Sequence, residues 1–257
     1  MNYTDFLVLY EMALGDNARK VLQTKQTTDD FGGQDMANDH NKWLSNNANR
    51  IRGRIRKNLM GSRYEDETNR YSAAQAASNR LGDRELGSIA AYTNDIHRPL
   101  NQIMRGQELS RQDSGLENVS AIKDVAQNLY RGLKSLPKQE GNFYRGIASS
   151  RVREMLEQLK VGDEIEDQGF GSYSSSLGAA KSFFGSDSSK NAMIQLAGNR
   201  FRDVAPFSQV EDEEELMTLP GIRMKLREIQ HHPRSKYDEE LIPHYLFDLL
   251  DEEEEDL

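Results

Sequence analysis

The most informative segment of the chain is an acidic run that leads directly into an apolar stretch: Glu211-Asp212-Glu213-Glu214-Glu215-Leu216-Met217-Thr218-Leu219-Pro220-Gly221. The apolar part predicts a β-strand that ends at the Pro-Gly pair, because these residues interrupt strands. In an extended chain, Glu213 and Glu215 lie on the same side. Two carboxylates on one face suit acid–base chemistry or the stabilisation of a cationic transition state, although a charge run is also typical of a solvated surface.

Two segments upstream carry further side chains of chemical interest. Arg145 follows two aromatic residues in Phe143-Tyr144-Arg145-Gly146. A guanidinium matches phosphate oxygens in a two-pronged geometry, but a strand-edge arginine that extends to water is the alternative. The second segment is the serine-rich Gly169-Phe170-Gly171-Ser172-Tyr173-Ser174-Ser175-Ser176-Leu177. A hydroxyl on a strand can hold a neighbouring carboxylate in one rotamer, although serine-rich loops without such a role are common.

Composition excludes several kinds of site. The chain has 257 residues and no cysteine, which rules out disulfides, thiolate zinc sites, iron–sulfur clusters and a cysteine nucleophile. It carries 33 basic and 42 acidic residues, a formal charge of −9 that argues mildly against nucleic-acid binding. The sequence contains no apolar run that approaches the roughly 18 residues of a membrane span, and its start lacks the basic region of a secretory signal. We therefore expect a soluble, cytoplasmic-type protein.

The spacing of apolar residues predicts helices early in the chain and strands later. Residues 25–40 are expected to form a loop, and the predicted helices of the first half lie at 4–24, 43–60, 68–80, 85–104 and 122–135. Pro99 is expected to kink or divide the fourth of these helices. Strands are predicted at 142–146, 193–196, 215–219, 224–229 and 245–250, with helices at 149–159 and 179–184. Helices followed by strands indicate the α+β class.

A fourth segment lies on the predicted helix that contains Pro99. It reads Tyr92-Thr93 and then Asn101-Gln102-Ile103-Met104-Arg105-Gly106, and by itself it needs no explanation beyond an amphipathic helix. Together the four segments resemble, in order and spacing, the arginine–serine–glutamate class of mono-ADP-ribosyltransferases. That class combines an aromatic-Arg-Gly strand, a Ser-Thr-Ser strand and a Glu-x-Glu ahead of an apolar strand. The resemblance covers roughly residues 85–250.

Within this class the chain looks most like the small transferases of tailed bacteriophages, of the Mod and Alt type, and more distantly like the binary clostridial and insecticidal toxins. It departs from the pattern at Ser175, where the family has threonine. Two registers are open for each motif: Ser172 or Ser174 as the first serine, and Glu211/Glu213 or Glu213/Glu215 as the acidic pair. We prefer Ser174 because Leu177 follows as in the phage pattern, and Glu215 because it directly precedes the apolar strand.

The resemblance implies an ADP-ribosyltransferase fold of two packed, mainly antiparallel sheets with flanking helices, preceded by an N-terminal helical region. We expect a helical extension over residues 1–70, a catalytic domain over 71–250 and an acidic tail over 251–257. The tail contains no basic residue and reads as a solvated end.

The resemblance also implies an activity: transfer of ADP-ribose from NAD⁺ to an arginine of a protein of the bacterial host, with release of nicotinamide and without a metal. Glutamate at the first acidic position accompanies arginine acceptors in this family. The implied catalytic residues are Glu215, Glu213, Ser174 and Arg145. The residues implied in binding NAD⁺ are Arg145, Gly146, Ser174, Phe184, Tyr92, His97 and Asn101.

Two other functions stay open at this point. The chain can be an NAD⁺ glycohydrolase with water as acceptor, or a nucleic-acid-binding or virion structural protein with incidental motifs. The second alternative depends on the basic stretch 50–63, which contains no acidic residue; the competing interpretation is a helix face that pairs with acids of the same chain. That stretch also suggests a transferase that takes RNA or an RNA-bound target. We expect a monomer in the host cytoplasm, with delivery by the virion as a further option.

Overall fold

The computed structural model describes residues 34–107, 119–208, 214–233 and 241–250. The predicted helix over residues 4–24, the acidic tail and Glu213 lie outside the described residues. The helices of the first half are α1 (Gln34–Gly61), α2 (Glu65–Arg80), α3 (Asp83–Ala91), a π-helical turn (Tyr92–Ile96), α4 (His97–Met104) and α5 (Val119–Lys134).

Strands dominate the second half of the chain. They are β1 (Lys138–Ala148), β2 (Glu164–Asp167), β3 (Gly171–Ser174), β4 (Asn191–Asp203), β5 (Glu215–Thr218), β6 (Ile222–Pro233) and β7 (Leu241–Leu249). Two helices lie among them, α6 (Ser150–Glu157) and α7 (Leu177–Ser182), with 3-10 turns at Ser188–Lys190 and Ala205–Phe207. The predicted α+β class is confirmed.

Apolar spacing explains why the helices form a layer. On α5 the buried residues recur at intervals of three and four, and on α1 they do the same: Ile122, Val125, Ala126, Leu129 and Leu133, and Leu44, Ala48, Ile51 and Ile55. Such spacing gives one apolar stripe along each helix. The stripes pack together with the buried face of α3, so the helices share one core.

The helix that contains Pro99 is divided, as the sequence predicts. The π-helical turn separates α3 from α4, and Pro99 is the third residue of α4. Proline has no N–H group and its ring clashes with the carbonyl four residues earlier, so a widened turn at this point is one way to accommodate it.

The start of α1 differs from the prediction. Residues 25–40 were expected to form a loop, and this expectation is wrong from Gln34 onward. A contact distant in sequence supports the early start, because His40 Nε2 lies 3.0 Å from an oxygen of Asp124 on α5. Local composition carries no signal of such a contact.

Hydrogen bonds join the seven strands in the order β1-β3-β5-β4-β7-β6-β2, and β1 also pairs with β4. The pairing of β4 with β7 is parallel, and the other pairings are antiparallel. The sequence predicted two packed sheets. The contacts of β1 with both β3 and β4 link the strands into one hydrogen-bonded network that closes on itself through β5.

The strand β2 was not predicted. Three of its four residues, Glu164, Glu166 and Asp167, are acidic, so it lacks the apolar alternation of a strand. It forms by antiparallel pairing with β6, where Asp167 stands opposite Ile222. Pairing with a distant segment therefore determines this element.

The buried apolar residues form two clusters. The first cluster contains the buried apolar side chains of the helices of the first half. Met217 of β5, Phe170 and Phe207 pack against them. The other lies among the strands and α6, and includes Phe143, Tyr173 and Leu216. Alternation along β5 explains why Leu216 and Met217 belong to different clusters. The predicted boundary near residue 70 falls within the first cluster, since α1 contributes to it.

Candidate active site

A row of three residues connects the strand motifs. In the middle strand β3, Ser174 stands directly opposite Tyr144 of β1 on one side and Glu215 of β5 on the other. Residues directly opposite in antiparallel strands have side chains on the same face. Ser172 pairs with Met217 instead, so Ser174 is the serine that faces Glu215.

Glu215 is 7 % exposed, which is unusual for a carboxylate. In the helical layer, burial raises the pKa of the Tyr92 hydroxyl, and the negative charge of Glu215 adds a smaller effect in the same direction. A carboxylate held in such a site acts on a neighbouring cation more strongly than one in water.

Hydrogen bonds fix the chain just after Ser174 and just before Glu215. The Oγ atom of Ser174 accepts a hydrogen bond from the backbone N–H of Ser176 at 3.0 Å. The hydroxyl of Ser175 donates to the carboxylate of Glu214. The backbone of Glu214 has a φ angle of 46°. This left-handed conformation is uncommon for a residue other than glycine. It reorients the chain immediately before Glu215, whereas Glu213 lies outside the described residues.

Arg145 is half-buried on β1 and forms an ion pair with Asp167 at the end of β2. Its Nη1 donates to Asp167 Oδ2 at 3.4 Å. The other oxygen of Asp167 accepts from Arg105 Nη2 at 2.8 Å and from the backbone N–H of Gly169 at 2.9 Å. Burial opposes ionisation of Asp167, but the two guanidinium groups hold its pKa below the usual value. Two guanidinium groups therefore share the Asp167 carboxylate, and the three side chains form one cluster.

Tyr173 lies beside this cluster. The guanidinium carbon of Arg145 is 6.0 Å from the centre of the Tyr173 ring, at the outer limit of a cation–π contact. Burial raises the pKa of Tyr173 to about 12, so its hydroxyl stays protonated at neutral pH.

Gly146 allows α7 to pack directly on β1. A Cβ atom at this position would collide with the backbone oxygen of Ala180 and approach Phe183 Cβ to 3.2 Å. Only glycine fits here, and the contact fixes α7 relative to the strand that carries Arg145. Phe184 follows α7 and is half-buried, while Phe183 is 50 % exposed.

A cavity of about 390 Å³ adjoins this helix. Its walls include Tyr144, Phe184 and His244, and Tyr144 is the partner of Ser174 in the row described above. The other lining residues are Leu177, Lys181, Met193, Gln195, Gln230, His232, Pro233 and Ile242. Burial, with smaller effects of His232 and Lys181, lowers the pKa of His244 to about 4, so the His244 ring is uncharged at neutral pH.

The residues predicted on the helix have different surroundings. Tyr92 and Asn101 are buried, and both bind the backbone of Phe170, just before β3. Tyr92 Oη donates to the Phe170 carbonyl at 2.9 Å, and Asn101 Oδ1 accepts from the Phe170 N–H at 2.8 Å. His97 is exposed, with its ring 6.2 Å from that of Tyr92. In this arrangement Tyr92 and Asn101 anchor the segment that leads to Ser174.

Sequence reasoning did not select Arg105 and Asp167 as site residues. Arg105 was part of the helical motif, and its position before Gly106 was the available signal. Asp167 lies in a strand that was not predicted, and no spacing rule relates it to Arg145.

The described ranges contain no group of three or more His, Asp or Glu residues able to hold a metal ion. Within the same ranges, every helix is too short or too polar to cross a bilayer.

Several solved structures share this fold. The Vis toxin, an ADP-ribosyltransferase from Vibrio splendidus, has 17 % identity and a TM-score of 0.51, over 74 % of this chain and 88 % of that chain. The type III effector XopAI from Xanthomonas axonopodis pv. citri has 14 % identity and a TM-score of 0.54, over 97 % and 100 %. The ADP-ribosyltransferase HopU1 of Pseudomonas syringae pv. tomato has 14 % identity and a TM-score of 0.53, over 80 % and 97 %.

No curated protein is similar enough in sequence to count as a match. The finer resemblance to phage transferases stays a prediction. The sequence model of one family, described as NAD:arginine ADP-ribosyltransferase, matches residues 24–225, well over half of the chain. The match spans the arginine, serine and glutamate motifs whose residues meet on β1, β3 and β5. The chain belongs to the NAD:arginine ADP-ribosyltransferase family and is an NAD-dependent ADP-ribosyltransferase.

Proposed function

We propose that this enzyme transfers ADP-ribose from NAD⁺ to arginine side chains of proteins and releases nicotinamide. The observation that carries the proposal is the pairing of Ser174 with Glu215, which puts a hydroxyl beside a buried carboxylate on one face. Arg145 follows Tyr144 on the neighbouring strand β1, so its side chain lies on the face of Tyr173 and not on that of Ser174. Its guanidinium supplies a group suited to the pyrophosphate.

In the proposed reaction the bond between the ribose C1′ and the nicotinamide nitrogen breaks, and its electron pair leaves with nicotinamide. Positive charge develops on the ribose as an oxocarbenium-like state. Glu215 stabilises this charge and accepts a hydrogen bond from the ribose 2′-hydroxyl. Ser174 holds the Glu215 carboxylate in position.

The proposed acceptor is the arginine guanidinium, which stays protonated with a pKa above about 12 and is a poor nucleophile. Glu213 would orient the guanidinium and accept one of its protons as the new bond to C1′ forms. A comparison supports this acceptor: the Vis enzyme was crystallised with agmatine, which carries a guanidinium group. Exoenzyme S of Pseudomonas aeruginosa, at a TM-score of 0.50, was crystallised with carba-NAD and a 14-3-3 protein.

We propose that the other residues expected from the sequence to bind NAD⁺ contact different parts of the dinucleotide or support residues that do. Arg145 would bind the pyrophosphate and keep the dinucleotide in a reactive geometry. Phe184 borders the 390 Å³ cavity beside Tyr144, and we propose that the nicotinamide ring packs there. Tyr92 and Asn101 would contribute through the Phe170 backbone, and His97 through its exposed ring.

The test is incubation of the full chain with labelled NAD⁺ and a bacterial lysate, with the Glu215→Ala variant as control. We expect labelled protein bands that depend on Glu215, and mass spectrometry to find ADP-ribose on arginine. Nicotinamide release without labelled protein would favour the glycohydrolase alternative. Label on another residue type would contradict the proposed acceptor. We expect the labelled target to be a host bacterial protein, on the basis of the resemblance to phage transferases.

The nucleic-acid alternative has less support. Within the basic stretch, Arg52 bonds to Asp83 and to the carbonyl of Leu81, and Arg54 donates to the carbonyl of Pro206. These arginines serve contacts inside the chain. Arg50, Arg56, Lys57 and Arg63 are exposed, so an RNA-bound target stays an option for that face. Salt-dependent RNA binding that is lost in an Arg56→Glu/Lys57→Glu variant would support it.

A further inference from the structure

Asp167 joins two layers of the molecule through a single carboxylate. Arg105, just past the end of α4, belongs to the helical layer, whereas Arg145 lies in the middle of β1. The strand β2, which ends at Asp167, reaches the cluster from the edge of the strand network.

The contacts of the carboxylate are unequal. Its Oδ1 atom accepts from Arg105 Nη2 at 2.8 Å, from Arg105 Nε at 3.2 Å and from Gly169 N–H at 2.9 Å. Its Oδ2 atom has one contact with Arg145, at 3.4 Å. Arg105 and Gly169 therefore fix Asp167, and Asp167 holds Arg145 from one side.

The backbone around Asp167 is also anchored. The carbonyl of Asp167 accepts from the N–H of Gly221 at 2.7 Å, which ties the end of β2 to the turn after β5. A Cβ atom at Gly169 would lie 2.7 Å from both Arg105 Nη2 and Asn101 Oδ1, so a side chain there would displace these groups from their contacts. The carboxylate consequently has a fixed position, which a positioning role requires.

The weaker contact leaves Arg145 able to bind another anion. The side chains of Arg145, Arg105 and Asp167 are 27 %, 25 % and 16 % exposed, so solvent and ligands reach the cluster. The Arg145 guanidinium carries five N–H donors and gives Asp167 one hydrogen bond, at 3.4 Å. An incoming pyrophosphate can thus pair with Arg145 donors that Asp167 does not use.

We propose that Asp167 is a positioning residue for NAD⁺ binding: held by Arg105 and Gly169, it orients the Arg145 guanidinium toward the pyrophosphate. This inference rests on the proposed role of Arg145. Asp167 acts through Arg145 and does not touch the reacting atoms. Its negative charge also opposes the phosphates, and the proposal requires that the gain from orientation exceeds this repulsion.

The test compares wild type with Asp167→Asn, which keeps the size of the side chain and removes its charge. In NAD⁺ hydrolysis by the full chain, we expect KM for NAD⁺ to rise about tenfold, because misplacement of a binding group weakens binding. We expect kcat to change less than twofold, the pattern of lost uniform binding. The matched control is Asp248→Asn, which removes a surface pair with Arg227 at 3.1 Å and should leave KM unchanged.

Other outcomes contradict the proposal. A lower KM in Asp167→Asn would mean that repulsion of phosphate dominates, and a loss of thermal stability with unchanged KM would mean a purely structural role. If Asp167→Asn does not fold, Asp167→Glu keeps the charge and moves it by one methylene; an unchanged KM in that variant would also overturn the proposal. A wild-type enzyme that cannot cleave NAD⁺ would contradict the proposed function itself, which separates the two failures.

Discussion

At the scale of single residues, the acidic pair offers the most direct test of the chemistry. Glu215→Gln removes the charge that we propose stabilises the cationic ribose, but keeps the size of the side chain. We expect both transfer and NAD⁺ hydrolysis to fall by at least about 10², the effect of losing one preorganised electrostatic contact. Assays of labelled NAD⁺ measure both activities.

Glu213→Gln should separate the two activities, because its proposed role concerns the acceptor. We expect transfer to arginine to be lost while some hydrolysis stays. Glu214→Gln is the matched control, since Glu214 is exposed and lies between the two residues. Full transfer in Glu215→Gln would refute the assignment of that residue, and equal losses in all three variants would refute the division of roles.

Tyr92 tests whether the helical motif binds NAD⁺ directly or supports β3. Its hydroxyl donates to the Phe170 carbonyl and accepts from Asn101 Nδ2 at 3.0 Å, within a buried cluster. Tyr92→Phe should reduce the free energy of unfolding by about 1–2 kcal/mol, the usual effect of removing buried hydrogen bonds. Urea unfolding measures this change.

We expect KM for NAD⁺ in Tyr92→Phe to stay within about twofold of wild type, since the ring still packs and few binding groups move. Tyr64→Phe is the control, because Tyr64 is 70 % exposed and its hydroxyl should not matter for stability. A large rise in KM without loss of stability would instead support direct contact of Tyr92 with the dinucleotide.

His244 makes stability depend on pH. Its pKa of about 4 in the folded protein lies below the ordinary value of 6.5, chiefly because of burial. Between these values the unfolded chain binds a proton that the folded chain does not, so stability falls as pH is lowered from about 6.5 to 4. We expect a contribution of about 1–2 kcal/mol after solvent screening.

Thermal unfolding between pH 4 and 7 measures this effect in the His244→Gln variant. The variant should show a flatter pH profile than wild type in this range. His231→Gln, at an exposed position of β6, should keep the wild-type profile. An identical profile in His244→Gln would contradict the assignment.

At the scale of elements, the contact between α1 and α3 depends on one glycine. A Cβ atom at Gly87 would collide with the backbone carbonyl of Leu44. Backbone cannot move aside as a flexible side chain can, so Gly87→Ala forces the two helices apart. We expect a loss of about 2–3 kcal/mol in the free energy of unfolding, as in other overpacked cores.

Gly53→Ala on α1 is the control, and we expect it to increase the free energy of unfolding. Nothing lies within 4 Å of a Cβ atom at Gly53, so alanine adds only helix propensity. We expect a gain of about 0.5–1 kcal/mol there. Equal effects of the two substitutions would show that helix propensity, and not the contact between helices, determines the result.

The elements also show how far sequence patterns reach. The prediction of a division near Pro99 is confirmed, because proline acts through local sterics. The short strand β2 was not predicted, because pairing with β6 outweighs its acidic composition. The early start of α1 depends on a contact with α5, and periodicity does not carry that information.

At the scale of the whole molecule, the N-terminal helices and the strands share a core. Leu44, Ile51 and Ile55 of α1 are each at most 1 % exposed and belong to the cluster that includes Met217 of β5. Burial of these three side chains contributes about 5–9 kcal/mol, comparable to the total stability of a typical domain.

We therefore expect a fragment that starts at residue 71 to lose its cooperative unfolding transition. Circular dichroism during heating measures this loss, and binding of a hydrophobic dye should rise. Removal of residues 251–257 is the control, since the acidic tail is predicted to be solvated and its loss should leave the transition unchanged. A cooperative transition in the fragment would support 71–250 as an independent catalytic domain.

Local composition and periodicity are enough to predict the α+β class, the order of the arginine, serine and glutamate segments and the division of the helix at Pro99. Three features depend instead on contacts between distant segments: Ser174 faces Glu215, Arg52 pairs with Asp83, and Asp167 joins Arg105 to Arg145. Strand register explains the first of these, since a shift by one residue reverses every side chain and pairing between distant segments sets that register. The same long-range pairing brings charges from separate elements together.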